Sequence, residues 1–279
     1  MPVIVNLSSI LTVHSPKTSA AAFATLCDQY STGCCPTFFQ HWPNYAWVMY
    51  QYRMNYKNLI EPYKLGTMNT QQFLQSLLQI FPFLREAEAV ADKQPLVGLK
   101  ERAGDSEQVA FSLLEKAWNK SIDLDQAHLS CFPLLASMSE KERVYLISNT
   151  NELHALEILR QLQEKNPDIK FMDSIDLSVQ ENKEPIEIAP NIFLCLSYRY
   201  QLFKTESDNP HSTMSLLNHL VNKQLSGEDI SKICVVSQFP KDLAEATKLG
   251  IPANNVFDAN QFFKDNLRKS SCSPSDRPS

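Results

Sequence analysis

The chain has 279 residues, 43% of them hydrophobic and 20% charged, which suits one domain of at least about 150 residues plus a smaller unit and excludes disorder along the whole length. A formal net charge of −5 argues against a general nucleic-acid binder, whose surface is normally basic. The 6 glycines, Gly33, Gly66, Gly98, Gly104, Gly227 and Gly250, never fall in the spacing of a dinucleotide fingerprint or a P-loop, and both are excluded.

Val3-Ile4-Val5 reads as a short buried strand and not as a secretion signal, since no basic segment precedes it. From Ser15 to about Phe83 the text is aromatic and lacks strand alternation, which predicts helices. The clearest spans Thr70 to Leu84, where Phe73, Leu77, Leu78, Phe81 and Leu84 recur at helical spacing. Arg85 to Asp105 reads as a polar linker. Asp105-Ser106-Glu107-Gln108 resembles a capping box, opening a helix with Val109, Leu113, Leu114, Ala117 and Trp118 on its apolar face.

Strands and helices then alternate. Strands are predicted at Val144 to Ile147, Ile192 to Leu196, Ile233 to Val236 and Val256-Phe257. Helices are predicted from Asn151, over Ser212 to Leu225, from Pro240 to Leu249 with Gly250 as the C′ residue, and from Asp258 onward. Lys165 to Asn191 is long for a connection. Its alternating Ile169, Phe171, Ile186 and Ile188 predict a β-hairpin extension. Ser270 to Ser279 reads as a disordered tail. No stretch approaches ~18 uninterrupted apolar residues, so no membrane span is expected.

Short apolar strands alternating with amphipathic helices imply an α/β fold with a parallel sheet covered on both faces. Ligands in such folds bind beyond the carboxyl ends of the strands. That directs attention to Asn6 to Leu11, Ser148 to Asn151, Ser197 to Lys204 and Ser237 to Asp242.

Those places resemble the haloacid dehalogenase (HAD) superfamily, in its phosphatase-like branch with a helical cap after the first strand. Val144-Tyr-Leu-Ile-Ser148-Asn149 is similar to the family's second motif, an apolar strand ending in Ser-Asn. Tyr198 to Lys204 looks like the third motif with its lysine. Ile233 to Ile251, including Pro240-Lys-Asp242-Leu and Leu249-Gly250-Ile251, is similar to the fourth. Ala117-Trp118-Asn119 resembles the helix re-entering the core, and Gly66 to Phe73 resembles the cap. The resemblance implies a Rossmann-like core at 1–14 and 106–268, a helical cap at 15–105 and a tail at 269–279.

The departures fall on the chemistry. The family's first strand ends in an aspartate nucleophile and, two residues on, an aspartate acid/base; here those positions hold Asn6 and Ser8. A pair of aspartates that help hold magnesium is replaced by Ser237 and Gln238. Residues 1–27 contain no Asp or Glu, nor do residues 230–241; Asp242 lies several residues past the strand end. An amide is a poor nucleophile, and magnesium usually needs one or two carboxylates. No catalytic residue, no cofactor and no metal site are therefore expected, and the implied function is that of a pseudoenzyme. Ser148, Asn149 and Lys204 remain as candidates for gripping a phosphate-like anion, with Ser148 as a helix cap and Lys204 in solvent as the plain alternative. A phosphohydrolase that recruits Asp242 or Asp208 is the first rival.

The 7 cysteines, Cys27, Cys34, Cys35, Cys131, Cys195, Cys234 and Cys272, are odd in number and form no C-x-x-C. They read as reduced thiols in a cytoplasmic setting. Cys34 or Cys35, with His41 nearby, gives a cysteine-dependent enzyme as the second rival. The histidines, His14, His41, His128, His154, His211 and His219, make no zinc spacing; His154 and His14 are expected near the strand ends. Trp47, Met49, Tyr50, Tyr52, Met54 and Tyr56 are too broadly spread for one helical stripe, so one side of the cap is a candidate surface for a protein partner.

Overall fold

The computed structural model describes residues 1–9, 13–30, 41–86, 106–124, 131–178, 183–208 and 214–271. Strand β1 (Val3–Asn6) is followed by helices α1 (Pro16–Tyr30), α2 (His41–Met54), α3 (Thr70–Ile80), α4 (Ser106–Asn119) and α5 (Cys131–Ser139). Strand β2 (Val144–Ser148), α6 (Glu152–Lys165), β3 (Ile186–Ala189), β4 (Ile192–Leu196) and α7 (Ser197–Tyr200) come next. Helix α8 (Leu216–His219), β5 (Cys234–Ser237), α9 (Pro240–Lys248), β6 (Val256–Asp258) and α10 (Ala259–Ser271) follow; further short segments, among them the two-residue strands Val13–His14 and Ile122–Asp123, carry no number. Cys34, Cys35, His128, His211, Asp105 of the expected cap, residues 87–105 of the linker and residues 272–279 lie outside the described residues. No helix among the described residues is long and apolar enough to cross a membrane.

The chain forms two units. The first comprises Met1–Val13, Lys64–Gly66 and Asp123–Ser279; the second, His14–Tyr63 and Thr67–Ile122. The first unit holds a six-stranded sheet in the order β3-β4-β2-β1-β5-β6. All neighbours are parallel except β3 against β4. Val3, Ile4 and Val5 are fully buried. Three β-branched residues without polar alternation suit a central strand covered on both faces. One face rests on Leu216, Leu217, Leu220 and Val221, which cluster with Ile4, Ile147 and Val235. Ser215 opens that segment, accepting the Asn218 N–H at 3.0 Å.

From β1 the chain moves outward to β2 and β4, then crosses back to β5 and β6 on the other side. The strand order therefore reverses between β1 and β5, and the carboxyl ends meeting at that switch point belong to Asn6 and Ser237. The expected hairpin is present in a narrower form. Ile186–Ala189 turns through Asn191, at φ 59°, and pairs antiparallel with β4 as an edge strand of the main sheet. Ile169 and Phe171 are not in a strand; Phe171 stacks on Phe132 at 5.7 Å.

The second unit is helical. Asn69 caps α3, accepting the Gln72 N–H at 2.8 Å while the Gln72 side chain accepts the Asn69 N–H at 3.1 Å. The helix stops at Ile80 and not at Leu84, because Pro82 has no N–H to continue the ladder; residues 82–86 form a 3-10 turn. Helix α4, attached by the sequence to the α/β core, belongs to this unit and packs on α1 and α3. Its buried Ala110, Leu114, Ala117 and Trp118 supply the contact face, and Ser19 Oγ of α1 donates to the Ala117 carbonyl at 2.8 Å. Stacked rings fill the interior: Tyr63 on Phe73 at 4.0 Å and Phe23 on Phe81 at 4.9 Å.

Two details of the first unit shape the strand-end loops. Gly66, at φ +68°, lies against Tyr198, where a Cβ would stand 1.9 Å from the carbonyl oxygen. Beside it, Ser197 Oγ donates to the Lys64 carbonyl at 2.8 Å. Second, Glu245 of α9 accepts the Glu206 N–H at 2.7 Å and the Ser215 hydroxyl, tying down the loop that contains Lys204. Burial pushes the Glu245 carboxyl above the ordinary glutamate range, against the opposing pull of those donors.

Gly66→Ala should destabilise by about 3 kcal/mol in denaturant unfolding, since a backbone clash and left-handed strain add. Gly227→Ala, with open space around the new Cβ, should stay within about 0.5 kcal/mol. The raised Glu245 value means that the folded state holds this proton more tightly than the unfolded chain. Stability should therefore decline as pH climbs from the ordinary glutamate value through the raised one, and Glu245→Gln should flatten that slope in thermal melts across pH.

Candidate functional site

The site forms at the switch point within the first unit. Asn6 ends β1 and is 1% exposed. Its Oδ1 accepts from the Ser8 N–H at 3.1 Å and from Ser8 Oγ at 3.2 Å, which fixes the direction of the amide. The Nδ2 group then faces β5, where it donates to Ser237 Oγ at 3.3 Å and to Asp242 Oδ2. Ser237 Oγ donates to the same Asp242 oxygen at 2.7 Å and accepts the Phe239 N–H at 3.1 Å.

Asp242 is where sequence and structure part. It is the fifth residue after the end of β5, yet it is 1% exposed among the strand ends. The reason is local. Pro240 starts α9 in the first turn, so the chain doubles back at once. Side chains in a helix lean toward its N-terminus, which returns an acid in the first turn to the strand end it has just left. The helix start and its early acid were both visible in the sequence; the distance along the chain hid their consequence. Among the described residues the strand-end pocket therefore keeps one carboxylate, that of an acid which its place several residues past the strand end had set apart.

Lys204 completes the group. Its Nζ lies 3.4 Å from Asp242 Oδ2, and the two side chains are 5% and 2% exposed. The ammonium also stands over the Phe239 ring, 4.9 Å from its centre. Burial lowers the Lys204 pKa, while the Asp242 carboxylate pulls it back up. Asp242 Oδ2 thus accepts from an amide, a hydroxyl and an ammonium. Its Oδ1 has no hydrogen-bond partner among the described residues.

The remaining candidates surround this centre. Asn149 Oδ1 accepts the Lys204 N–H at 2.7 Å, and its Nδ2 donates to Asp208 at 3.4 Å. Asp208 also accepts from Thr205 Oγ1 at 2.9 Å and pairs with Lys241 at 2.7 Å, forming a second charge pair nearer solvent. Ser148 is buried at the end of β2, but the cap of α6 is Asn151, whose side chain accepts the His154 N–H at 3.0 Å. The His154 ring is held by the same residue, Nδ1 lying 3.1 Å from Asn151 Nδ2. Gln238 is exposed and reaches the Ser8 carbonyl at 3.4 Å. Structure therefore brings Asn6, Ser237, Lys204 and Asp242 into direct contact. Ser8 and Asn149 bond directly to members of that group, at the Asn6 amide and the Lys204 backbone, Gln238 reaches Ser8, and Ser148 stays on the neighbouring strand. The side chains of His14 and His41 lie outside the described residues.

Among the described residues, no group of three or more His, Cys, Asp or Glu side chains is placed to share a metal ion. The described cysteines, Cys27, Cys131, Cys195 and Cys234, are all buried. Burial pushes their thiols up to about 12, 11, 12 and 12 in that order, far from the range of a reactive thiolate.

No family model matches the chain, and no curated protein matches it. Solved structures do. HAD family enzyme BT-2542 from Bacteroides thetaiotaomicron superposes with a TM-score of 0.52, at 13% identity over 92% of each chain. Its wild-type complex with magnesium and inorganic phosphate gives 0.51 at the same identity and coverage. A likeness at 13% identity is a likeness of fold, and the chain accordingly has the α/β fold of HAD-like proteins.

Proposed function

We propose that this chain uses the HAD-like fold without phosphoryl-transfer chemistry and acts by binding, with a protein partner on its helical unit as the first candidate and a phosphate-like anion at the strand ends as the second. The observation behind this reading is Asn6. The strand end that would present a nucleophile presents an amide, buried and committed through Nδ2 to Asp242 and Ser237. An amide nitrogen has its lone pair delocalised and does not attack phosphorus.

The residues present do not fit magnesium. That ion is hard and usually takes one or two carboxylates together with substrate oxygens. Among the described residues Asp242 is the one carboxylate at the centre, and its Oδ2 is already shared by three donors, one of them cationic. A dication beside the Lys204 ammonium would be repelled in a poorly screened interior. Anion binding is disfavoured for a related reason: the charge of Lys204 is cancelled by Asp242, and Asn149 spends both ends of its amide internally.

The protein-partner reading draws on α2. Trp47, Tyr50 and Met54 are 37%, 56% and 59% exposed, while Val48 on the same helix is buried. Their spacing of three and four residues puts them on one helical face, with the residue types enriched at interfaces.

A second reading is a weak or altered phosphohydrolase, and the place of Asp242 at the strand ends is what favours it. Against it stand the burial and saturated oxygen of that carboxylate. The cysteine-dependent alternative rests on Cys34 and Cys35, outside the described residues.

Hydrolysis of p-nitrophenyl phosphate in millimolar magnesium should be indistinguishable from buffer. Magnesium-dependent turnover lost in Asp242→Asn would move the assignment to the second reading. Tyr50→Ala and Met54→Ala should each change unfolding stability by less than about 0.5 kcal/mol, as expected of side chains held free for something else; larger losses would place them in the interior of the helical unit.

A further inference from the structure

We propose that the Lys204 ammonium is the resident cation of the Asn6–Ser237–Asp242 cluster. It supplies from within the chain the positive charge that neutralises the strand-end carboxylate, and so closes the carboxyl edge of the sheet without any metal. This rests on the same placement of Asn6 and Asp242 as the non-catalytic reading. It is tested by stability and not by turnover, so the two fail separately.

Three features support it. First, a carboxylate 2% exposed needs a counter-charge, because removing an ion from water is costly unless it is paired and hydrogen-bonded. Lys204 is the cation that meets it. Second, the ammonium is held from several directions. Asp242 faces it at 3.4 Å, the Phe239 ring lies 4.9 Å away, and the backbone of Lys204 is anchored by Asn149 at 2.7 Å. Phe239 directly precedes Pro240, the start of α9, so the segment that delivers the carboxylate also offers its ring face to the cation. Third, the cluster joins segments far apart in sequence: the end of β1, the end of β5, the first turn of α9 and the loop after α7. A single neutral knot thus ties the two strands between which the sheet order reverses.

The consequence is selective. The unmodified protein has no use for a divalent ion at this position, whereas removing the lysine side chain leaves a buried carboxylate in need of a small organic cation. Lys204→Ala deletes three methylenes and the ammonium, a shape close to propylammonium.

Thermal unfolding of the full chain tests this. The unmodified protein should melt at the same temperature in EDTA and in millimolar magnesium chloride. Lys204→Ala should melt about 6–12 °C lower, the size expected for stranding one member of a buried pair. Propylammonium should restore part of that loss, and tetramethylammonium at equal ionic strength should not. If Lys204→Ala does not fold, Lys204→Met with and without Asp242→Asn gives the same answer: the double variant should melt above the Lys204→Met single. Two results would overturn the proposal. One is a magnesium-induced rise in the melting temperature of the unmodified protein that Asp242→Asn abolishes. The other is a Lys204→Met loss of equal size in both backgrounds.

Discussion

The Oδ2 atom of Asp242 is the point on which the carboxyl edge of this sheet depends. It accepts an amide from β1, a hydroxyl from β5 and an ammonium from the loop after α7. Each donor is oriented by a further contact: Asn6 by Ser8, Ser237 by the Phe239 N–H, Lys204 by Asn149 and the Phe239 ring. In a buried setting, electrostatic interactions of this kind are stronger than in water, and an unpaired member is correspondingly costly. The cluster is therefore tightly coupled. Changing one residue alters what the other three require.

Such a cluster is not an efficient way to add stability. Replacing a buried ion pair by well-packed apolar groups is often neutral or favourable, and Asp242 Oδ1 sits buried without a hydrogen-bond partner among the described residues. What the arrangement supplies is a defined geometry at the switch point of the sheet. It also sets one negative and one positive charge side by side among the described residues of the centre. A fold shared at 13% identity says nothing against this, because chemistry resides in the groups placed on a fold and not in the fold itself.

The helical unit follows a different rule. Its interior is built by aromatic stacking and by the apolar face of α4, while Trp47, Tyr50 and Met54 of α2 turn large apolar surface outward. Function by contact needs only such a surface and a scaffold that keeps it ordered. It does not need carboxylates at Asn6, Ser8, Ser237 and Gln238, where the sequence has none.

Much of this was legible in the residues. Three consecutive β-branched side chains at Val3 to Val5 specify a strand buried on both faces, and the apolar runs at Val144 and Cys234 specify its parallel neighbours. The identities of Asn6, Ser8, Ser237 and Gln238 show that these strand-end positions carry no carboxylate. Other features depend on contacts between distant residues. Helix α4 joins the helical unit because its apolar face finds α1 and α3, and Ile186–Ala189 becomes an edge strand because β4 offers an open ladder. Above all, the sequence put Asp242 in a strand-end segment without showing that it turns back to the strand end, and left Lys204 facing solvent or an anion. The sequence by itself determined the strands, the helices and the absence of carboxylates at Asn6, Ser8, Ser237 and Gln238, since these follow from local patterning and residue identity. Only the tertiary structure decided that one carboxylate returns to the centre and meets a lysine there, because the reversal at Pro240 and the convergence of distant loops exist only once the sheet has formed.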